Sequence, residues 1–460
     1  MTVDEFRSNI QGKTAAVIGV GVSNIPLIKF LVDCGAKVIA HDKRSASELG
    51  ETYDELEKLG VKFVLGDGYL DEVDKDASVV YKTPGVRFDV PALLEAAKRG
   101  VEITSEMELF FELCPAKIIA VTGSDGKTTT TSLIYDMLKR AGYTCHLGGN
   151  IGNPLIDRLD EIKSEDMVVL ELSSFQLHTM KRSPSIAVVT NVTPNHLDWH
   201  KDFGEYVEAK KAIFKYQDQD GRVVLNYDNE ITRDFAREAK NYAYFSRREE
   251  LETGYYLKDG HIVYSENGEV KRDILDIETI FIPGMHNVEN YMAAIAAVDG
   301  LVSDEIIRET AAGFKGVEHR IEFVRELDGV KYYNDSIASS PARTTAGLRS
   351  FKQKVVLIAG GYDKKIPFDE FGSVVNEHVK KLVLCGLTSD KIEAAVKSAP
   401  NYDGLPIYRR SKFEDAVNTA REIAESGDVV ILSPACASFD MFKNFAVRGD
   451  TFKEIVNKFK

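Results

Sequence analysis

Lys127 and Thr128 stand directly after the turn Gly123-Ser124-Asp125-Gly126, and that turn follows an apolar run at 118–121. Beyond Thr128 the apolar period becomes that of a helix, with Leu133, Ile134, Met137, Leu138 and Ala141 on one face and Gly142 as the stop. Strand, glycine turn, Lys-Thr and helix form an arrangement suited to phosphate. The glycines let backbone N–H groups converge on an anion, and the helix N-terminus adds partial positive charge. Lys127 can reach terminal phosphates, and Thr128 can offer its hydroxyl to Mg²⁺. Val121 occupies the place where the common phosphate loop has its first glycine. The competing reading is therefore an ordinary strand-to-helix turn, and the flanking strand and helix argue against it.

Other chemistry-bearing residues follow. Glu171 ends an apolar run at 167–170 and precedes Leu172-Ser173-Ser174; the carboxyl end of a buried strand is where an α/β sheet places a metal ligand. A second run at 186–190 opens into NVTPNHLDWH, which gathers His196, Asp198 and His200 in one loop, with a polar surface loop as the alternative. A helix is expected over 203–216, with Phe203, Tyr206, Val207, Ile213 and Phe214 as its apolar stripe. Lys210 falls within that stripe, so it either snorkels to water or is neutralised by partners.

The elements that must position these residues fall into three segments. The first, 1–105, opens as βαβ: a strand at 14–18, Gly19 and Gly21, a helix through Phe30 and Leu31, and a strand at 37–40 ending at His41-Asp42. An acid there suits a ribose contact, but Asn24 replaces the third glycine of a dinucleotide fingerprint, so a different nucleotide is at least as good a fit as NAD. A strand at 79–82 ends in Thr83-Pro84-Gly85, a turn able to approach a ligand. The second segment, 106–316, holds the phosphate loop, and its stretch 221–282 reads as an antiparallel appendage of short strands and glycine turns. An Ala-rich helix is expected at 293–298. The third, 317–460, shows four short strands at 330–333, 355–359, 382–385 and 429–432 separated by helical spans, a parallel sheet whose turns 360–364 and 433–438 lie at strand ends. The fold expected is α/β in three domains: Rossmann-like, a central P-loop ATPase-like parallel sheet with a small antiparallel appendage, and Rossmann-like again.

Composition narrows the function classes. With 460 residues there is room for about three domains. The net charge of −14 argues against general nucleic-acid or anionic-membrane binding. The opening MTVDEFRSNIQGK lacks the apolar core of a signal peptide, and no apolar run is long enough to span a membrane. The five cysteines, Cys34, Cys114, Cys145, Cys385 and Cys436, are scattered, as expected of buried thiols in a reducing cytoplasm.

TGSDGKTTTT at 122–131, GGNIG at 148–152, ELSSFQL at 171–177, NVTPNHLD at 191–198, HNVEN at 286–290 and EHR at 318–320 occur in the order seen in the Mur ligases, which the chain resembles over essentially its whole length. These are ATP-dependent amide-forming enzymes of peptidoglycan precursor synthesis, with folylpolyglutamate synthase as a cousin. LSPACASFDMFKNFAVRGDTF at 432–452 resembles the branch that adds D-glutamate to UDP-N-acetylmuramoyl-L-alanine. The resemblance implies an acyl-phosphate intermediate, ATP and two Mg²⁺ ions, small-molecule partners only, a monomer and a cytoplasmic location. It implies that Thr122 to Thr128 cradle ATP, with Asn287, Asn290, Arg320 and Asp335 around it. Thr128 and Glu171 would hold one metal and His196 the second, with Lys210 carbamylated to serve them, and Asn150 would contact the activated substrate. UDP would lie along Val22, Ser23, Asp42, Lys43, Arg44, Thr83 and Gly85. D-glutamate would meet Lys364, Ser438 and Phe445. Several relatives have a lysine where Ile337 stands, so Ser339 or the Ser438 turn would carry more of that contact. A site drawn from three domains implies an open free state and a closed ternary one. The rival functions are a nicotinamide dehydrogenase built on the first βαβ and a nucleotide switch without ligase chemistry.

Overall fold

The structure is a computed structural model that describes residues 1–73 and 75–460. Its three sheets make three α/β domains, and the chain packs as two compact units. One comprises Met1–Ile277 with Glu289–Thr310, and the other Glu278–Val288 with Ala311–Lys460.

In the first unit, a five-stranded parallel sheet runs in the order β3 (Lys62–Leu65), β2 (Lys37–Asp42), β1 (Thr14–Ile18), β4 (Val79–Lys82), β5 (Glu102–Thr104). The order reverses direction between β1 and β4, so a crevice forms beyond their carboxyl ends. Gly19 and Thr83 face each other there: a Cβ on Gly19 would lie 3.0 Å from Thr83 Cγ2. Asn24 braces the first turn by donating to the carbonyls of Ile18 at 2.9 Å and Gly19 at 3.0 Å. A third glycine is unnecessary because an amide takes over the turn.

The same unit holds the nine-stranded sheet, in the order β14 (Glu269–Asp276), β13 (His261–Glu266), β12 (Gly254–Lys258), β11 (Tyr242–Ser246), β10 (Arg222–Asn226), β9 (Ile186–Val189), β6 (Lys117–Thr122), β8 (Met167–Glu171), β7 (Cys145–Gly149). Its central strands are covered on both faces, which is why β8 and β9 are buried at every position and read as unbroken apolar runs. The expectation for 221–282 needs correcting. β10 and β11 continue the parallel sheet and β12 pairs parallel to β11; only β12 to β14 are antiparallel. The short helix Glu230–Phe235 supplies the crossover that parallel pairing requires. The Ala-rich helix is also longer than expected, Met285–Val298.

The second unit carries the order β15 (Glu322–Leu327), β16 (Val330–Asn334), β20 (Val429–Leu432), β17 (Val355–Ala359), β18 (Val379–Cys385), β19 (Ile407–Arg410). All pair in parallel except β15, which is antiparallel to β16. The four expected strands are present; β15 and β19 were not foreseen. Both are edge strands with charged residues and incomplete burial, so neither shows the apolar run of a central strand. Cys34, Cys385 and Cys436 are buried, whereas Cys114 and Cys145 are only half-buried; all five are free thiols.

Candidate active site

β6 ends at Thr122, the turn follows, and the helix Lys127–Arg140 starts on Gly126, whose φ of 79° is left-handed. A Cβ at Gly126 would stand 2.3 Å from Asn290 Oδ1, and one at Gly123 (φ 154°) would stand 1.9 Å from Thr190 Oγ1. These two positions therefore require glycine on both conformational and steric grounds. We expect Gly126→Ala to raise the ATP KM at least about tenfold and to cost about 1–2 kcal/mol of stability, measured by initial rates and by denaturant melts.

The turn is held from outside. Asn191 Oδ1 accepts the Asp125 N–H at 2.9 Å, Asn191 O accepts the Ser124 N–H at 2.9 Å, and Thr190 Oγ1 donates to Asp125 O at 2.6 Å. Ser124 Oγ lies 2.8 Å from the Tyr206 hydroxyl. Lys127 Nζ donates to the carbonyls of Gly123 and Ser124, each at 3.0 Å. Thr128 follows, half-buried. Asn290 is buried and accepts from Thr130 Oγ1 at 3.3 Å.

Lys210 does not snorkel. Its side chain is buried, with Nζ donating to Gly123 O at 2.8 Å and Thr122 Oγ1 at 3.4 Å and lying 4.7 Å from the Tyr206 ring centre. Burial, reinforced by the nearby Lys127 charge, pushes its pKa well below the ordinary lysine value. Tyr206 had been assigned to the apolar stripe. Its spacing of one helical turn from Lys210 is the signal that the two act together.

Glu171 is the other buried group at this end of the sheet. Its Oε1 accepts from Asn150 Nδ2 at 2.7 Å, while Oε2 is buried with no hydrogen-bond partner. The strand pairing explains the contact, because Gly149 lies opposite Glu171 and the next residue is Asn150. An unpartnered buried carboxylate oxygen is a donor that suits a hard divalent cation, and its strand β8 pairs with β6, which leads into the glycine turn. His196 is exposed, at a left-handed φ of 54°, with its ring 4.9 Å from that of Phe175.

At the β1–β4 crevice, Val22 is 80% exposed and Ser23 precedes the helix Asn24–Asp33. Asp42 is buried, accepts the Val20 N–H at 2.7 Å, and pairs with Arg44 at 2.8 Å. Arg44 thus reaches the crevice as half of an ion pair, whereas Lys43 lies exposed beside it. Thr83 is half-buried and Gly85 exposed. Sequence reasoning missed Arg87 and gave no role to Trp199, the one tryptophan of the chain. Trp199 Nε1 donates to Gly85 O at 3.1 Å. Arg87 forks onto Glu205, with both bonds at 2.9 Å, and also bonds Asp89 and Trp199 O. The 83–87 turn is thereby fastened to the His196 loop. His178, His200 and Glu205 bring ligand atoms within 4.8 Å of one another, but both Glu205 oxygens already accept from Arg87.

The second unit holds the remaining expected residues. Asp335 is buried, accepting from Ser433 Oγ at 2.7 Å and the Ile321 N–H at 3.3 Å, and burial raises its pKa to about 7. Both carboxylate oxygens of Asp335 thus accept bonds from within this unit. The nearby charge of Arg320 pulls that pKa down. Asn287 is buried, with Nδ2 donating to Pro283 O at 2.6 Å. Lys364 is exposed and Ser438 buried, and Phe445, 37% exposed, opens the helix Phe445–Lys458. Ser339 bonds locally, its Oγ donating to Ile337 O at 3.3 Å. Among the described residues no helix is long and apolar enough to cross a membrane.

Comparison with known proteins gives consistent matches along the chain. Residues 13–105 match the family model for a "Mur ligase MurD-like, N-terminal domain", residues 121–298 that for a "Mur ligase middle domain", and residues 319–436 that for a "Mur ligase, glutamate ligase domain". The UDP-N-acetylmuramoylalanine--D-glutamate ligase of Acetivibrio thermocellus is 56% identical over 99% of this chain and 98% of its own length. That of Clostridium perfringens is 54% identical over 99% and 98%. Among solved structures, the UDP-N-acetylmuramate-alanine ligase MurC of Thermotoga maritima aligns with a TM-score of 0.59 at 20% identity, covering 97% of this chain and all of that one (100%). The MurF ligase of the same organism, solved with ADP, aligns at 0.54 and 18% identity, covering 98% and 97%. These two share the fold.

Proposed function

The chain belongs to the Mur ligase family, and on that premise we propose that it joins D-glutamate to UDP-N-acetylmuramoyl-L-alanine with conversion of ATP to ADP and phosphate, a cytoplasmic step of peptidoglycan precursor synthesis carried out by a monomer. The observation that carries the ligase reading is the meeting of a buried amine, Lys210, and a buried carboxylate with an unpartnered oxygen, Glu171, at the glycine turn. A switch that only senses nucleotide could use Glu171 for Mg²⁺ but does not need Glu171, His196, Lys210 and Arg320 together. A nicotinamide dehydrogenase built on the first βαβ leaves the glycine turn and Lys127 of the central sheet unexplained.

The chemistry follows from charge. A carboxylate is a poor electrophile because its leaving group would be oxide. Transfer of the γ-phosphoryl group to the terminal carboxylate of UDP-N-acetylmuramoyl-L-alanine gives an acyl phosphate. The D-glutamate amine then attacks the carbonyl carbon, the C–O bond to phosphate breaks, and the amine loses a proton. Lys127 and the N-terminal turn of the helix Lys127–Arg140 hold the phosphates, and Asn150 orients the acceptor carboxylate. Thr128 and Glu171 suit one Mg²⁺, with His196 and a carbamate on Lys210 serving a second; bound metal would neutralise charge between the two anions. The carbamate forms when the neutral Lys210 amine adds to CO₂ and releases a proton, and its depressed pKa supplies that neutral amine. Val22, Ser23, Asp42, Lys43, Arg44, Thr83 and Gly85 are assigned to the UDP moiety. Arg320, Asn287, Asn290 and Asp335 are assigned to ATP, and Asp335 also accepts the Ile321 N–H beside Arg320. Lys364, Ser438 and Phe445 are assigned to D-glutamate. By the same reading the domains divide at about 105 and 316.

Phosphate release with ATP, Mg²⁺ and UDP-N-acetylmuramoyl-L-alanine tests the proposal directly. We expect release with D-glutamate and none with L-glutamate or other amino acids. Release with a different amino acid would move the chain to another branch of the family, and no release with any would refute the ligase reading.

A further inference from the structure

Arg448, on the helix Phe445–Lys458, is only 2% exposed, and no carboxylate among the described residues pairs with it. A buried guanidinium without an anion is costly unless its donors are satisfied and its charge has a use. The donors are satisfied by backbone and hydroxyl. Nε donates to Ser336 Oγ at 3.0 Å, Nη1 to Ala437 O at 3.1 Å, and Nη2 to Ser336 O at 2.8 Å and Cys436 O at 3.1 Å. Ser336 Oγ in turn donates to Phe445 O at 2.7 Å. The third strand-end turn also reaches it, since a Cβ on Gly361 would lie 3.3 Å from Nη1 and 2.3 Å from Ala437 O.

Ser336, Cys436 and Gly361 follow β16, β20 and β17, which are neighbours in the sheet. One cation therefore bonds the turns after β16 and β20 and lies against the turn after β17, at three adjacent carboxyl strand ends, the place where such sheets bind ligands. Two of those turns carry Ser438 and Lys364, and Phe445 opens the helix that carries Arg448 itself; these are the residues assigned above to the amino acid. Burial lowers the Arg448 pKa only to about 10, so it stays protonated at neutral pH. Asp440, whose charge favours the protonated guanidinium, forms no ion pair with it: its Oδ2 accepts the Leu387 N–H at 3.2 Å and its Oδ1 is buried without a partner.

We propose that Arg448 is the positioning residue of the amino-acid pocket, holding the turns after β16 and β20 against the turn after β17 and supplying a positive charge, in no ion pair among the described residues, that favours an amino acid carrying a second carboxylate. The inference rests on the ligase reading above and adds a group that does not itself touch the substrate. A purely structural clamp would act on fold and on every substrate alike. A clamp that also sets the field acts on the dicarboxylate.

The test compares Arg448→Gln, which keeps hydrogen-bonding capacity and removes charge, with Arg448→Lys, which keeps charge and loses the fork. KM values for D-glutamate, ATP and the UDP substrate are measured for each full-length variant. For Arg448→Gln we expect the D-glutamate KM to rise about 10- to 100-fold, with the other two within about threefold, and Arg448→Lys to recover part of the loss. An unchanged D-glutamate KM, or three KM values rising together, would overturn the proposal. If Arg448→Gln fails to fold, Ser336→Ala decides: it frees the Nε end of the clamp, and a selective rise in the D-glutamate KM supports the proposal while no rise overturns it. Wild-type enzyme inactive with D-glutamate would instead refute the ligase reading on which the pocket rests.

Discussion

Substituting Lys210 is expected to lower the ligation rate about 10²- to 10³-fold while raising stability, and the two effects have one cause. Lys210 is buried against Gly123 O and the Tyr206 ring, with Lys127 nearby, and its pKa is pushed well below 10.5. Burial therefore favours the neutral amine in the folded state, whereas the unfolded chain meets no such penalty. Between the depressed pKa and 10.5 the unfolded state binds more protons, so this residue's cost to stability fades as pH rises through that interval. Lys210→Met removes the cost. In bicarbonate-free buffer at neutral pH its melting temperature should rise by roughly 2–4 °C, and the gain should vanish above the ordinary lysine pKa. Activity should fall because the carbamate can no longer form. In Lys210→Ala, short carboxylic acids should restore part of the rate by placing a carboxylate where the carbamate stood. Activity within tenfold of wild type in Lys210→Met would sink the proposed role.

The contrast between Lys210 and Arg448 shows what was legible in the sequence. A lysine in the apolar stripe of a helix breaks a period of 3.6, so Lys210 is visible without a structure. Arg448 lies in a mixed helix whose sequence shows no broken stripe, and its burial is set by turns that follow β16, β17 and β20, far apart in the chain. The same distinction runs through the fold. Central strands such as β8 were evident as apolar runs because both faces are covered. The edge strands β15 and β19 carry charge and show no such run. β10 and β11 were misassigned in direction because pairing partner is a tertiary property: Arg222–Asn226 lies beside Ile186–Val189 through a crossover that short strands and glycine turns do not announce. Within the site, the glycine turn, Glu171 and Lys210 could be located from type and position. That Asp42 and Asp335 are engaged internally could not, since their partners Arg44, Val20, Ser433 and Ile321 are known only once the turns are built.

Glu171→Gln is expected to reduce the rate by about 10²-fold or more without destabilising the fold, and it separates two roles that alanine would confuse. The carboxylate does two things at once: Oε1 accepts from Asn150 Nδ2 at 2.7 Å, and Oε2 lies buried without a partner. Glutamine preserves the first, because its carbonyl oxygen still accepts from Asn150. It removes the second, because an amide nitrogen offers hydrogens where a cation needs a lone pair. If Glu171 served only to hold Asn150, the variant would keep its activity. If the unpartnered oxygen exists for a cation, the variant loses activity, and its melting temperature in the absence of metal stays level or rises, since an unpaired buried charge has been neutralised. Ligand linkage sharpens the comparison. Mg²⁺ with a non-hydrolysable ATP analogue at 100 times its Kd should stabilise the wild type by about 2.7 kcal/mol, and most of that increment should disappear in Glu171→Gln while persisting in Asn150→Ala. Equal stabilisation of wild type and Glu171→Gln would place the metal elsewhere and leave the buried oxygen without a function.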